Sequence, residues 1–250
     1  MARGDAKPGG EPPIPPAHLL GGVGPGDYLE AGALTVSLLE GLAGLSPADR
    51  VLDVGCGLGR IAWPLSRKLG PAGSYDGFDV VRPYTDWCAA GLGLEPERFR
   101  FRHADVRTTF YNPGGGIDPE AFVFPWPAGS FDLAIATSLF THLLPATAEH
   151  YLREIARTLR PGGRLFASFY LLDDRTRGPA AAGVTDPPFP HAVEHGLVHD
   201  AAVPESGVAL EEAWVRGALA AAGLDVKSVH LGKWQAMPGP YYQDLVVAIR

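Results

Sequence analysis

The stretch Val51-Leu52-Asp53-Val54-Gly55-Cys56-Gly57-Leu58-Gly59-Arg60 decides how this chain is read. Arg50 to Gly55 is a short apolar run ending in glycine, and Ile61, Leu65 and Leu69 then fall on one helical face, so the segment reads as strand, turn and helix. Pro64, just past the first helical turn, predicts a kink. Gly55, Gly57 and Gly59 leave the main chain unobstructed and permit positive φ, which lets a ligand approach the backbone closely. Asp53 sets a carboxylate beside the turn.

Working outward, Leu34, Leu38, Leu42 and Leu45 recur at helical spacing, predicting a helix over 28–45 that ends near Gly44. Residues 1 to about 17, rich in Pro, Gly and Ala, read as a flexible tail. Downstream, strands are expected at 74–80, 99–106, 131–139 and 164–172, with helices near 84–90, 147–159 and 210–222. The apolar runs 226–231 and 244–249 leave no room for a helix between them and should pair antiparallel at a sheet edge. The fold class is therefore α/β: a doubly wound, mostly parallel seven-stranded sheet with helices on both faces and an antiparallel C-terminal strand. Residues 18–250 read as a single domain with insertions at about 108–129 and 173–205; connections that long shape binding sites or are disordered.

Bulk chemistry narrows the partners. The 250 residues are 46% hydrophobic and 20% charged, enough for a full core, and no run approaches the ~20 apolar residues a membrane span needs. Neither a membrane role nor a secretory signal is expected, so the compartment is read as cytoplasmic. A formal charge of -7 without a long Lys/Arg run argues against gripping nucleic acid and favours a small-molecule acceptor. Two cysteines, Cys56 and Cys88, make no disulfide framework and read as free thiols.

The glycine spacing discriminates between cofactors. Dinucleotide sites use G-x-G-x-x-G, whereas here the sixth position is Arg60. Residues 51–57 resemble the first motif of the class I S-adenosylmethionine-dependent methyltransferases of small-molecule type, and Gly77-Phe78-Asp79-Val80 resembles the second. His103-Ala104-Asp105-Val106 is similar to the third, and Ser130-Phe131-Asp132 and Leu159-Arg160-Pro161-Gly162-Gly163 to the fourth and fifth. The resemblance implies a Rossmann-like methyltransferase fold and S-adenosyl-L-methionine as cofactor. It places Gly55, Cys56 and Gly57 under the amino-acid end, Asp79 on the ribose hydroxyls with Val80 beside it, and Asp105 and Val106 near the adenine. Asp53 is expected beside the turn, Tyr28 over the methionine end of the cofactor, Arg60 at the cofactor carboxylate, and Thr137 and Ser138 close to the cofactor. Taken singly, each carboxylate fits a capping or solvated role equally well, Arg60 fits a solvent-exposed helix start, and Tyr28 fits plain packing.

Methyl transfer is an in-line displacement, so the enzyme mainly aligns donor and acceptor; a hydroxyl acceptor gains from a general base. His142, in Ser138-Leu139-Phe140-Thr141-His142-Leu143, follows the fourth strand and is the candidate, with helix capping as the other reading. Tyr111, Trp126, Phe189 and Trp234 are candidate walls for the acceptor, or core. His191, His195 and His199 recur every fourth residue, a pattern that on a helix would align three imidazoles. Three nearby prolines and Gly196 argue against such a helix, and no metal is expected. Two alternatives stand beside O-methylation: a nicotinamide-dependent reductase using the same turn and Asp79, and a protein that binds S-adenosylmethionine without transferring methyl. Oligomeric state is not legible.

Overall fold

The computed structural model describes residues 11–21 and 26–250 and contains two compact units, Met1–Ala104 and Asp105–Arg250. Residues 1–10 of the expected tail, and Gly24 and Pro25 before Tyr28, lie outside the described residues.

In the first unit the described elements run α1 (Ala17–Leu20), α2 (Tyr28–Ala43), β1 (Arg50–Val54), α3 (Ala62–Ser66), β2 (Ser74–Asp79), α4 (Arg82–Gly91) and β3 (Phe99–His103). The Asp27 side chain caps α2 by accepting from the Leu29 and Glu30 amides at 2.9 and 2.8 Å, and Gly44 ends it in the left-handed conformation, φ 62°. The helix after the glycine turn is one short element around Pro64 rather than the longer one expected, yet Ile61, Leu65 and Leu69 are all buried as their spacing predicts. β1 pairs parallel with β2, and β2 parallel with β3, in registers that set Asp53 opposite Gly77 and Asp79 opposite His103.

The second unit contains β4 (Phe131–Ala136), α5 (Pro145–Thr158), β5 (Leu159–Phe169), β6 (Leu171–Leu172), α6 (Arg177–Ala181), β7 (His191–Val193), β8 (Gly196–Val198), β9 (Val208–Glu211), α7 (Glu212–Ala221), β10 (Asp225–His230) and β11 (Asp244–Ile249). β4 and β5 are parallel, while β11 is antiparallel to both β5 and β10, the terminal pair read from sequence. The seven expected strands are thus all present, three parallel strands in the first unit and, in the second, four with an antiparallel C-terminal pair.

The second unit also corrects the sequence reading. The run to Leu172 is divided: β5 stops at Phe169, and β6 joins a separate four-stranded sheet in the order β6-β9-β8-β7. Much of the 173–205 insertion is therefore regular structure. The helix expected from 210 starts at Glu212, because Val208, Ala209 and Leu210 are fully buried strand residues instead. Over this small sheet lies an aromatic cluster of Tyr170, Phe189 and Trp234, with ring centroids 5.1 to 5.8 Å apart. Beside it Asp244, fully buried, accepts four hydrogen bonds, from the Gly232 amide and Gln235 Nε2 on one oxygen and from the Leu171 amide and Trp234 Nε1 on the other, all at 2.7 to 2.9 Å. Burial raises its carboxyl pKa, and those donors oppose the shift. Among the described residues no helix is long and apolar enough to cross a membrane.

Candidate functional site

In the first unit, the glycine turn is held by the strand beside it. The Gly55 and Cys56 amides both donate to the Phe78 carbonyl, at 3.0 and 2.9 Å, and Gly55, Gly57 and Gly59 all have positive φ (76°, 54° and 74°). The Gly57 amide donates to Asp79 Oδ2 at 2.8 Å and the Val81 amide to Oδ1 at 2.9 Å, so the second motif's carboxylate is oriented by the first motif's backbone. Burial raises the Asp79 pKa and these amides counter it. Val80 is half-buried beside it, its carbonyl accepting from His103 Nε2 at 3.2 Å.

Asp53 lies deeper. It is buried, and Oδ2 accepts from the Tyr75 hydroxyl at 2.6 Å while Oδ1 has no partner. Burial pushes its pKa up to about 7, the Tyr75 bond opposes this, and the nearby Asp79 charge adds to it. Tyr75 and Gly77 share a face of β2, and Gly77 is what lets the Tyr75 ring reach Asp53: a Cβ there would stand 2.8 Å from Cys56 Cβ and 2.9 Å from the Tyr75 oxygen. At the outer end of the turn the Tyr28 hydroxyl donates to the Leu58 carbonyl at 2.7 Å, and the Arg60 guanidinium sits 5.9 Å from the Tyr28 ring centroid. Cys56 and Cys88 are both buried free thiols; the hydrogen bond with Cys88, then burial, pushes the Cys56 thiol up, so it is inert. Tyr28, Asp53, Gly55, Cys56, Gly57, Arg60, Asp79 and Val80 are therefore one constellation. Sequence reasoning missed Tyr75 and the Cys88 contact; the tyrosine two residues before Gly77 was the available signal.

The second unit holds the remaining candidates. The Asp105 carboxylate accepts from Asn112 Nδ2 and the Gly116 amide at 3.3 and 3.2 Å, organising the start of the 108–129 segment, and Val106, fully buried, bridges to Ile117. Thr137 is half-buried after β4, and Ser138 adopts φ 53°. That conformation is braced: the Ser138 amide donates to Ser168 Oγ at 2.7 Å, and both serine hydroxyls donate to Gln243 Oε1, at 3.0 and 2.6 Å. Gln243 carries no motif and was not anticipated.

His142 ends the 3-10 turn Phe140–His142. Its Nδ1 is 2.9 Å from the Glu205 carbonyl oxygen, which can only accept, so Nδ1 carries the proton. Nε2 then presents its lone pair to the Tyr111 hydroxyl, 3.3 Å away. Phe110 lies parallel to the imidazole, interplanar 3°, and Tyr111 meets it edge-on. Burial lowers the His142 pKa; the Glu205 carbonyl and charge oppose that shift.

The aromatic candidates divide. Tyr111 is at His142. Trp126 packs edge-on against Phe131 in a separate cluster, its carbonyl accepting from Arg157 at 2.8 Å. Phe189 and Trp234 are corrected: at 0% and 1% exposure inside the small-sheet cluster, they are core and offer no surface to an acceptor. The three spaced histidines are on no helix. His191 is in β7, His195 in the hairpin turn with φ 56° and stacked on Trp214, and His199 just past β8 with Nδ1 on the Pro188 carbonyl.

Residues 51–163 match the family model described as a methyltransferase domain. The chain is 36% identical over 127 residues to the nocamycin O-methyltransferase of Saccharothrix syringae, covering 48% of this chain and 37% of that protein. It is 28% identical over 148 residues to an arsenite methyltransferase of Aquipseudomonas alcaligenes, covering 59% of this chain and 38% of that one. The matches thus span less than two-fifths of either relative's length. Among solved structures, the Burkholderia thailandensis 1,6-didemethyltoxoflavin-N1-methyltransferase, crystallised with S-adenosylhomocysteine, shares the fold at TM-score 0.55 and 18% identity, over 89% of this chain and 80% of that one. Over residues 51–163 the chain is thus similar to the S-adenosylmethionine-dependent methyltransferase family, and the glycine turn, the Asp79 carboxylate and the seven strands agree with that similarity. The matches favour S-adenosyl-L-methionine over the nicotinamide alternative.

The family's cofactor is S-adenosyl-L-methionine, and the first unit's residues fit it. A Cβ added at Gly57 would meet nothing within 4 Å, so the turn has open space beside its backbone. Both Asp79 oxygens accept from the backbone, and a carboxylate with about four acceptor sites can still receive a diol. The orphaned, buried Asp53 Oδ1 is a receptor for a donor or a cation.

Proposed function

We propose that the protein transfers a methyl group from S-adenosyl-L-methionine to a hydroxyl oxygen of a small molecule, with His142 as general base. One observation carries this reading: a single-tautomer imidazole whose unprotonated Nε2 already accepts from a hydroxyl, that of Tyr111, whose place an acceptor hydroxyl would take, and whose pKa is lowered by burial, so that it is neutral at physiological pH. Asp79, Asp53 and the glycine turn would hold the cofactor, which would supply a methyl group bonded to a positively charged sulfur, with that sulfur as the leaving group. His142 Nε2 would take the acceptor's hydroxyl proton, giving an imidazolium and leaving the oxygen's electron pair free as the nucleophile. Tyr111 and Phe110 flank the imidazole and supply an apolar wall for the acceptor.

The O-methyltransferase relative supports this choice of acceptor, and the two thiols argue against arsenic, which seeks accessible thiolates: Cys56 and Cys88 are both buried. The test is incubation with methyl-labelled cofactor and, separately, phenols, macrolactone alcohols, a ring-nitrogen heterocycle and arsenite. Label is expected in a methyl ether, with His142→Gln lowering kcat by about 100-fold or more. Label on nitrogen or arsenic, or tight S-adenosylhomocysteine binding with no labelled product, overturns it.

A further inference from the structure

The two long segments of the second unit meet at one residue. Glu205, 8% exposed, closes the second of them, and its carboxylate oxygen Oε2 accepts from both the amide and the hydroxyl of Thr109 in the first, the hydroxyl at 2.5 Å. Its backbone carbonyl, meanwhile, accepts from His142 Nδ1 at 2.9 Å. A buried carboxylate needs such donors to offset its desolvation, so Thr109 is tied to the 204–206 turn rather than merely near it. Two residues along the chain, Tyr111 places its hydroxyl 3.3 Å from Nε2, and Phe110 between them covers the ring face.

We propose that Glu205 is the positioning residue of the His142 base: its carboxylate, by clamping Thr109, holds the 204–206 turn on Nδ1 and the Tyr111 hydroxyl on Nε2 together. This rests on the reading of His142 as base, and it adds why the lone pair points one way. An imidazole has two nitrogens of similar basicity, and only the one without a proton can receive the acceptor's. The groups facing the ring are Tyr111 and Phe110 from the 108–129 segment and Glu205 from the 204–206 turn. One anchor joins the two sides, so releasing it frees both nitrogens at once.

The test is nitrogen-15 NMR of the histidine rings in the full chain, without acceptor, at a pH where the ring is neutral, with the His142 signals assigned by their loss in His142→Gln. The native protein is expected to show one tautomer, Nδ1–H, in at least about tenfold excess. Glu205→Ala keeps the carbonyl but removes the clamp, and is expected to bring the Nε2–H tautomer to comparable intensity. Thr109→Val keeps only the amide half of the clamp and is expected to shift the ratio in the same direction by less. Tyr111→Phe is expected to move the Nε2 resonance and leave the tautomer alone. A Glu205→Ala protein that binds S-adenosylhomocysteine normally yet keeps the native tautomer ratio overturns the proposal. Should that variant fail to fold, an unchanged ratio in Thr109→Val overturns it instead. If His142→Gln leaves methyl transfer intact, the base assignment falls, while the tautomer result stands by itself.

Discussion

The glycine turn of the first unit and the His142 cluster of the second are built from different materials. In the turn, backbone does most of the holding: the Gly55, Cys56, Gly57 and Val81 amides fix the geometry, and the side-chain hydrogen bonds join residues no more than 31 apart. Around His142, side chains from distant stretches do it, with 31 residues separating Tyr111 from His142, 63 separating His142 from Glu205 and 96 separating Thr109 from Glu205. A backbone-built site is tolerant of what surrounds it and repeats in many chains. A side-chain-built site is particular to its sequence.

The sharpest way to separate the two regions is electrostatic. Asp53 is unpaired on one oxygen and has its folded pKa raised to about 7 from 3.8. The unfolded chain therefore loses this proton first, and Asp53 costs stability progressively as pH rises from about 4 through 7, up to about 4 kcal/mol. Asp53→Asn removes the ionisation but still accepts from Tyr75. Denaturant unfolding is expected to show the variant gaining on the native protein between pH 5 and 8; equal pH dependence would mean that the carboxylate is ionised and solvated in the fold. His142, with a lowered pKa, works the other way, costing stability as pH falls below about 6.5, and cancels in this difference.

Next in size, Phe189→Ala is expected to cost about 3 kcal/mol in the same measurement, because it empties a fully buried ring site against Tyr170 and Trp234. A stable variant with altered acceptor binding would return Phe189 to the acceptor wall. The smallest effect belongs to the turn. Gly57→Ala adds a Cβ that meets nothing, so its cost is the strain of φ 54° alone, about 1 kcal/mol, read as a fall of about 2–4 °C in Tm. A much larger fall would show that the turn depends on packing as the His142 cluster does.

The same contrast explains what the sequence made legible. Strands, the order of helices and Asp79 could be read because each depends on periodicity or on a short glycine-bearing motif. The terminal antiparallel pair could be read because nothing fits between its runs. The small sheet was not legible: β6, β7, β8 and β9 are two to four residues long, too short to show alternation, and Gly196 reads as a loop signal although it lies between strands with a Cβ position 2.3 Å from the Ala209 carbonyl oxygen. Phe189 and Trp234 looked like acceptor walls because that sheet, which buries them, was unseen. Glu205 and Gln243 were invisible for a simpler reason: a lone acid or amide in a long segment carries no spacing, and only the folded chain shows what it touches.

Asp244 gives the small sheet a clock. The Leu171 and Gly232 amides end on a carboxylate that no water reaches, and the Trp234 indole shares it. Exchange of those two backbone hydrogens with deuterated solvent requires the whole aromatic cluster to open. Their protection therefore reports how often the 170–244 region comes apart as a unit, a rate that activity measurements never see.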